Sequence, residues 1–283
     1  MIAFLGTGLL GSNFVKALLK KGNNVNVWNR TFSKAKVLEN FGAKAFEQPA
    51  DAVMNASRVH LTLSDDEAVD NVLAAARKNF EPGAIIIDHT TTSAHGAVKR
   101  NVYWKAQGFD YIHAPVFMGP VNALESTGFM LISGDQSLIK KMNAELSAMT
   151  GKLLNFGEEI DRAASMKLMG NLFLMTLTAG ISETLSLAKS LHVPASDVKT
   201  LFDNWNPGAL LPSRLQRILS GNYSEASWEL NMARKDARLM IEQAASTESF
   251  LNILPNIANE MDRWIQNGHG QDDWVVIAKD NLP

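Results

Sequence analysis

Short apolar runs alternate with segments of helical periodicity through the first half of the chain, and helical periodicity fills the second half almost alone. Ile2 to Leu5 is an apolar run closed by glycine, the pattern of a strand buried on both faces of a parallel sheet. Ser12 to Lys21 follows with Phe14, Val15, Leu18 and Leu19 at helical spacing, and Val25 to Trp28 reads as a second strand after the Gly22-Asn23-Asn24 turn. The alternation continues with a helix over Ser33 to Phe41, a short strand near Ala45, a helix around Ala50 to Asn55 and a strand over Arg58 to Leu63. Ser64-Asp65-Asp66-Glu67 reads as a cap with an acidic first turn, opening a helix that ends near Arg77. Strands are expected over Ala84 to Asp88, Tyr111 to Val116, Phe129 to Ser133 and Lys152 to Phe156, with Thr92 or Ser93 as a helix cap, a loop from Phe117 to Pro120, and a helix over Asp135 to Met149. Strands alternating with helices predict right-handed crossovers and a doubly wound, mostly parallel α/β sheet.

After Gly157 the alternation stops. Asp161 to Leu191 reads as one long helix of about thirty residues, roughly 45 Å at 1.5 Å per residue, with no proline until Pro194. The helical pattern beyond it is broken at Pro194, Asn206-Pro207-Gly208, Pro212, Gly221 and Gly268 to Gly270. These signals predict two domains, 1–160 and an all-α domain 161–283, joined by the long interdomain helix itself. Within its apolar sequence stands Lys167, with Asn171 four residues on. That spacing puts a cation and an amide on one face.

A length of 283 residues favours two domains, and 46% hydrophobic with 20% charged residues is ordinary for a globular chain with a full core. A net charge of −2 gives no reason to expect nucleic acid or anionic lipid as a partner. With no cysteine there is neither a disulfide nor a thiolate metal site, and the six histidines are scattered without ligand spacing, so no metal is expected. Met1 leads directly into a strand, and the most apolar run, Leu172 to Ile181, is too short to span a bilayer. The expectation is a cytoplasmic protein without a membrane segment.

Gly6-Thr7-Gly8-Leu9-Leu10-Gly11 is GxGxxG between a strand and a helix, the context in which the pattern binds a dinucleotide. Gly6 permits the turn, Gly8 lets a pyrophosphate approach the backbone and Gly11 lets helix and strand pack closely, so the first domain reads as a Rossmann domain. The backbone from Gly6 through Thr7, Gly8, Leu9 and Leu10 would hold the phosphates at the helix N-terminus. Where an NAD-specific site presents an acid at the end of the second strand, this chain has Asn29-Arg30-Thr31, with Lys34 beyond. A guanidinium there grips a 2′-phosphate that an acid would repel, so NADP is favoured over NAD. Ligands of such sheets lie at the carboxyl ends of strands, which directs Leu63, Ser64 and Thr91 toward the cofactor.

With these motifs in this order, the chain resembles the β-hydroxyacid dehydrogenases, the group of 3-hydroxyisobutyrate dehydrogenase and the semialdehyde reductases. The resemblance covers nearly the whole length. It rests on Phe4 to Gly11, on Val27-Trp28-Asn29-Arg30-Thr31, on Ala114-Pro115-Val116 to Ala123, on Lys167 with Asn171, on Lys235-Asp236 and on Asp272-Asp273-Trp274. It implies that Lys167 is the general acid or base at a substrate carbonyl or alcohol, that Asn171 binds the reacting group or orients the lysine, and that Lys235 lies near the cofactor. The chemistry requires such a group: hydride addition develops an alkoxide, which an ammonium both stabilises and protonates.

The family's substrate loop runs Ser-Gly-Gly after Pro-Val, with serine and glycine amides holding a carboxylate; here Val116 is followed by Phe117-Met118-Gly119. Large apolar side chains replace polar anchors, which implies a narrower, greasier pocket. The related imine reductases share Asn-Arg-Thr but generally lack the lysine, whose presence argues for a carbonyl; the His-Asn-Gly run of the 6-phosphogluconate dehydrogenases is missing. The expected function is NADPH-dependent reduction of a small aldehyde or keto acid, or hydroxy acid oxidation in reverse. The alternatives are an imine reductase-like enzyme on an apolar carbonyl or imine, and an NADP-binding sensor or scaffold with little catalysis. Apolar helix surface including Leu172, Phe173 and Leu177 predicts a homodimer or homotetramer through the helical half.

Overall fold

A computed structural model describes residues 1–247 and 249–282. The chain forms two compact units, Met1–Leu172 and Phe173–Pro283. In the first, β1 (Ile2–Leu5), α1 (Leu9–Lys20), β2 (Val25–Trp28), α2 (Phe32–Lys36), β3 (Lys44–Phe46), α3 (Pro49–Ala52), β4 (Arg58–Leu61), α4 (Asp66–Ala76), β5 (Ile85–Asp88), α5 (Ala94–Ala106) and β6 (Asp110–His113) follow in order. The six strands pair only in parallel, in the order β3-β2-β1-β4-β5-β6, so the strand order reverses between β1 and β4. This is the doubly wound dinucleotide-binding topology, whose ligand crevice opens at that reversal. Because side chains alternate along a strand, Ile2 and Phe4 enter one core cluster while Ala3 and Leu5 enter the cluster on the opposite face.

The expected strand over Tyr111 to Val116 is two strands in two sheets. Pro115 has no N–H to continue a ladder, and beyond it β7 (Val116–Phe117) joins a separate sheet, followed by α6 (Pro120–Glu125), β8 (Phe129–Ile132), α7 (Gln136–Ser147) and β9 (Lys152–Asn155). The small sheet is ordered β7-β8-β9, with β7 antiparallel and β9 parallel to β8. Met130 and Ile132 of β8 belong to the same core cluster as Phe4 and Phe14. The helix cap expected at Ser64 is instead Asp65, whose carboxylate accepts from the Ala68 amide at 2.8 Å; Ser93 caps α5 through Gly96 as expected.

A chain of buried polar groups runs beneath the sheet's carboxyl end. The His89 Nδ1–H donates to the Ala114 carbonyl at 2.8 Å, which leaves Nε2 to accept from His60 Nδ1 at 3.0 Å. Burial pushes His89 down to about 4 and His60 well below the ordinary histidine value, so both are neutral near pH 7.

The long helix α8 (Arg162–Ser190) starts within the first unit, where the Ser133 hydroxyl accepts from the Ala163 amide at 2.9 Å and donates to the Ile160 carbonyl at 3.2 Å. The two units therefore divide inside the helix whose first residues were expected to open the second domain. The second unit contains α9 (Ala195–Asn204), α10 (Leu211–Ser220), α11 (Leu230–Ala245) and α12 (Leu254–Trp264), with Leu230, Ala237, Met261 and Trp264 in its core. Pro194 caps α9, Gly221 ends α10 at φ 67°, and Pro212 stands in the first turn of α10, where a missing N–H costs no helical bond. The Asp272-Asp273-Trp274 segment opens a 3₁₀ helix, Trp274–Asn281, through Asp273, which accepts from the Val275 amide, the Ser227 amide and hydroxyl, and Arg217. Leu172, Phe173 and Leu177 are exposed on the single chain, and α9 and α10 contain no buried residue.

Candidate active site

The glycine turn is built by close approach. Gly6 stands at φ 97°, and a Cβ there would lie 2.2 Å from the Thr62 carbonyl oxygen; one on Gly11 would lie 2.0 Å from the Gly6 oxygen. Both positions exclude every larger residue. At Gly8, by contrast, a Cβ would meet nothing within 4 Å, so this glycine leaves open the face that a phosphate would approach. Gly8 is the N-cap of α1, supplies no side-chain acceptor to the first-turn amides, and is followed by no acidic residue in that turn. Thr7, 3% exposed, keeps its hydroxyl without a protein partner. A helix N-terminus with free donors, an open glycine and an orphaned hydroxyl is the donor set that a dinucleotide pyrophosphate requires.

Asn29 fixes this turn to the end of β2: its Oδ1 accepts from the Thr7 amide at 3.0 Å and its Nδ2 donates to the Thr31 carbonyl at 3.0 Å. The adjoining cleft, about 500 Å³, is lined by Gly6, Gly8, Asn29, Arg30, Thr31, Lys34, Leu63 and Ser64, all expected from sequence. Thr62, Ala68, Asn71 and Val72 also line it and were missed, because nothing local marks the start of α4 as a cleft wall. Thr62 holds the turn through a hydroxyl donated to the Gly6 carbonyl at 2.7 Å. Leu9 lies exposed at the rim, whereas the Leu10 side chain packs on the core, leaving only its backbone to serve a ligand. Thr91 is exposed in the loop after β5; its neighbour Thr90 ties that loop to the one after β4, accepting from the Leu63 amide at 3.0 Å. Lys235 lies in the other unit, ion-paired with Asp236 at 2.8 Å.

Lys167 and Asn171 do share one face of α8: Lys167 Nζ donates to Asn171 Oδ1 at 2.9 Å. The lysine is half-buried, and desolvation pushes its pKa below the ordinary value. Its ammonium lies 4.4 Å from the centroid of the Phe117 ring, which comes from β7. Of the expected substrate loop, Val116 is buried in the core, Met118 packs against it, and the Gly119 amide donates to Asn122 Oδ1 at 2.9 Å. Among the described residues, no group of three His, Cys, Asp or Glu could hold a metal ion, and no helix is long and apolar enough to cross a membrane.

Residues 1–157 match the family model of the NAD binding domain of 6-phosphogluconate dehydrogenase. The cytokine-like nuclear factor N-PAC of Homo sapiens is 31% identical over 247 residues, covering 85% of this chain and 44% of that protein, so the chain spans less than half of that relative. The 3-sulfolactaldehyde reductase of Escherichia coli is 25% identical, covering 98% of this chain and 94% of the relative. Among solved structures, an imine reductase from Myxococcus stipitatus in complex with NADP⁺ has a TM-score of 0.93 at 18% identity over 100% of both chains. A reductive aminase from Aspergillus terreus in complex with NADPH and ethyl levulinate has a TM-score of 0.91 at 21% identity over 99% of both. These structural likenesses show a shared two-part fold.

Proposed function

The chain belongs to the family built on the NAD binding domain of 6-phosphogluconate dehydrogenase, and on that premise we propose that it is an NADPH-dependent oxidoreductase that reduces a small carbonyl compound, with Lys167 as proton donor. A nicotinamide dinucleotide supplies the hydride. The observation that carries the reading is the half-buried Lys167 ammonium, hydrogen-bonded to Asn171 at 2.9 Å in the same compact unit as the dinucleotide cleft. An ammonium has three N–H donors. One is engaged by Asn171 and one side of the group faces Phe117, which leaves a donor for a carbonyl oxygen. As that oxygen gains charge, Nζ stabilises it and transfers a proton, giving the alcohol; in reverse, neutral Nζ accepts the proton. Oxidation of NADPH with a panel of aldehydes and ketones tests the reading. Tight NADPH binding without turnover of any of them would favour a sensor or scaffold instead.

The preference for NADP rests on Arg30, Thr31 and Lys34 lining the cleft at the end of β2, where the chain has no acid. The Asp65 carboxylate on the loop before α4 is engaged in capping that helix. A charge-assisted arginine–phosphate contact contributes about 1.5–3 kcal/mol, so Arg30→Ala is expected to raise KM for NADPH about 10- to 100-fold and leave KM for NADH nearly unchanged. An equal effect on both cofactors would remove Arg30 from the phosphate.

Self-association through the helical unit is part of the same proposal. Leu201, Phe202, Leu211, Leu215 and Leu219 are exposed on helices that have no buried residue, and Phe173 and Leu177 are exposed on α8. Apolar surface of this extent exceeds what monomers ordinarily leave bare, and a second copy of the same helices would cover it. Light scattering should give a mass of at least two chains; a monomeric mass at micromolar concentration would refute it.

A further inference from the structure

Gly170 lies one turn after Lys167 in the interior of α8 and its backbone is not in the left-handed region. A glycine there costs the helix about 1 kcal/mol relative to alanine, so its backbone freedom gives no reason for it. Space does. A Cβ at Gly170 would lie 2.2 Å from Cζ and 2.8 Å from Cε1 of Phe117, so the phenyl ring occupies the notch that the glycine leaves. Seated there, the ring presents its face to the Lys167 ammonium at 4.4 Å. The loop that follows turns donors inward: the Gly119 amide is taken by Asn122 Oδ1, Pro120 has no N–H, and Asn122 Nδ2 donates to Thr127 Oγ1 at 3.0 Å. The ring thus supplies an electrostatic partner to the lysine through its π face, and the Gly119 amide of the loop is already satisfied.

We propose that Phe117, seated on Gly170, is the specificity-determining residue of the site: it holds the Lys167 ammonium by its ring face and selects carbonyl compounds whose neighbouring group is uncharged over the corresponding carboxylates. This rests on the reading of Lys167 as the proton donor. A carboxylate brought to this place would have to be desolvated against a phenyl ring, and the Lys167 ammonium is needed at the carbonyl oxygen. An ester or alkyl group meets no such penalty and gains apolar contact.

Two measurements test it. The first compares kcat/KM for 4-oxobutanoate and its methyl ester with NADPH. The native enzyme should favour the ester at least about 10-fold, and Phe117→Ser should cut that ratio at least about 10-fold. The second reads the lysine directly, by NMR titration of ¹³Cε-labelled protein, with the Lys167 signal assigned by its loss in Lys167→Ala. Because the ring favours the charged form, Phe117→Leu should move the Lys167 titration down by about half a unit. Gly170→Ala, a change that favours the helix itself, should displace the ring and move the titration the same way with Phe117 still present. Adding Phe117→Leu to Gly170→Ala should then produce no further shift. A native preference for the free acid, or a lysine titration that neither variant moves in an enzyme that turns over, overturns the proposal alone. Absence of NADPH oxidation with both compounds and the wider carbonyl panel overturns the proton-donor reading on which it stands.

Discussion

Replacing Lys167 with alanine should lower kcat about 10²- to 10⁴-fold while leaving NADPH affinity within about twofold of the native value. The asymmetry follows from where Nζ sits. It is bonded to Asn171 at 2.9 Å and faces Phe117 at 4.4 Å, on α8, while the dinucleotide cleft is lined by the glycine turn, β2 and the start of α4. In the proposed role, losing it removes charge stabilisation and a proton at the developing alkoxide without touching the residues that line the dinucleotide cleft. The pH profile carries the same signature. With Lys167 as the proposed proton donor, the protonated lysine is the active form in the reductive direction, so the rate should be full below its pKa and fall as pH rises through it. Burial lowers that pKa, which places the falling limb below the ordinary lysine range, and oxidation of the alcohol should show the opposite limb. Lys167→Ala should lose both limbs. A variant with native kcat and an unchanged basic limb would show that the proton comes from elsewhere.

The parts of this site that could be read from sequence are those whose geometry is local. GxGxxG constrains a strand, a turn and a helix within eleven residues, and the structure returns close contacts at Gly6 and Gly11 with open space at Gly8. The Lys167–Asn171 bond is likewise fixed by helical spacing alone. What escaped reading depends on residues far apart in the chain. Phe117 looks like an isolated departure from a family pattern, Gly170 carries no signal of its own in the sequence, and only the fold shows one filling the notch left by the other. The second sheet escaped because Ala114 to Val116 continues the apolar run of β6, and the break comes from one missing N–H at Pro115. Asp65 displaced Ser64 as the helix cap because two adjacent residues could each supply an oxygen, and register on α4 chose between them. The loop expected over Phe117 to Pro120 ends on the first residue of the short helix α6, whose six residues are too few to show helical periodicity.

The network around Asp88 had no sequence signal, and it carries the largest expected effect on stability. Asp88 is fully buried at the end of β5; its Oδ2 accepts from the Tyr111 hydroxyl at 2.7 Å and its Oδ1 from the Thr90 amide at 2.9 Å. Burial would raise the carboxyl, but the His113 ring 3.9 Å away and the Tyr111 and Thr90 hydrogen bonds offset this, so its pKa lies below the usual value. Arg100, 3% exposed at its side chain, lies 4.0 Å from the same oxygen while bonding Asp66 at 2.6 Å and Asp70 at 3.3 Å. Asp88→Ala removes the one fully buried negative charge among these partners of Arg100 and leaves the Tyr111 hydroxyl without its acceptor. Truncating one member of a buried ion pair costs about 3–5 kcal/mol, against a total stability of about 5–15 kcal/mol. For a unit of this size the expected fall in its melting temperature is about 6–20 °C, whereas Tyr111→Phe, which deletes one hydroxyl, should cost only about 1 kcal/mol. The same change should weaken NADPH binding, because Asp88 holds Thr90, and the Thr90 hydroxyl accepts from the amide of Leu63 in the cleft wall. A calorimetric melting temperature for Asp88→Ala within about 2 °C of native would mean that Arg100 is balanced by Asp66 and Asp70 alone, and that the loop after β5 is held without this carboxylate.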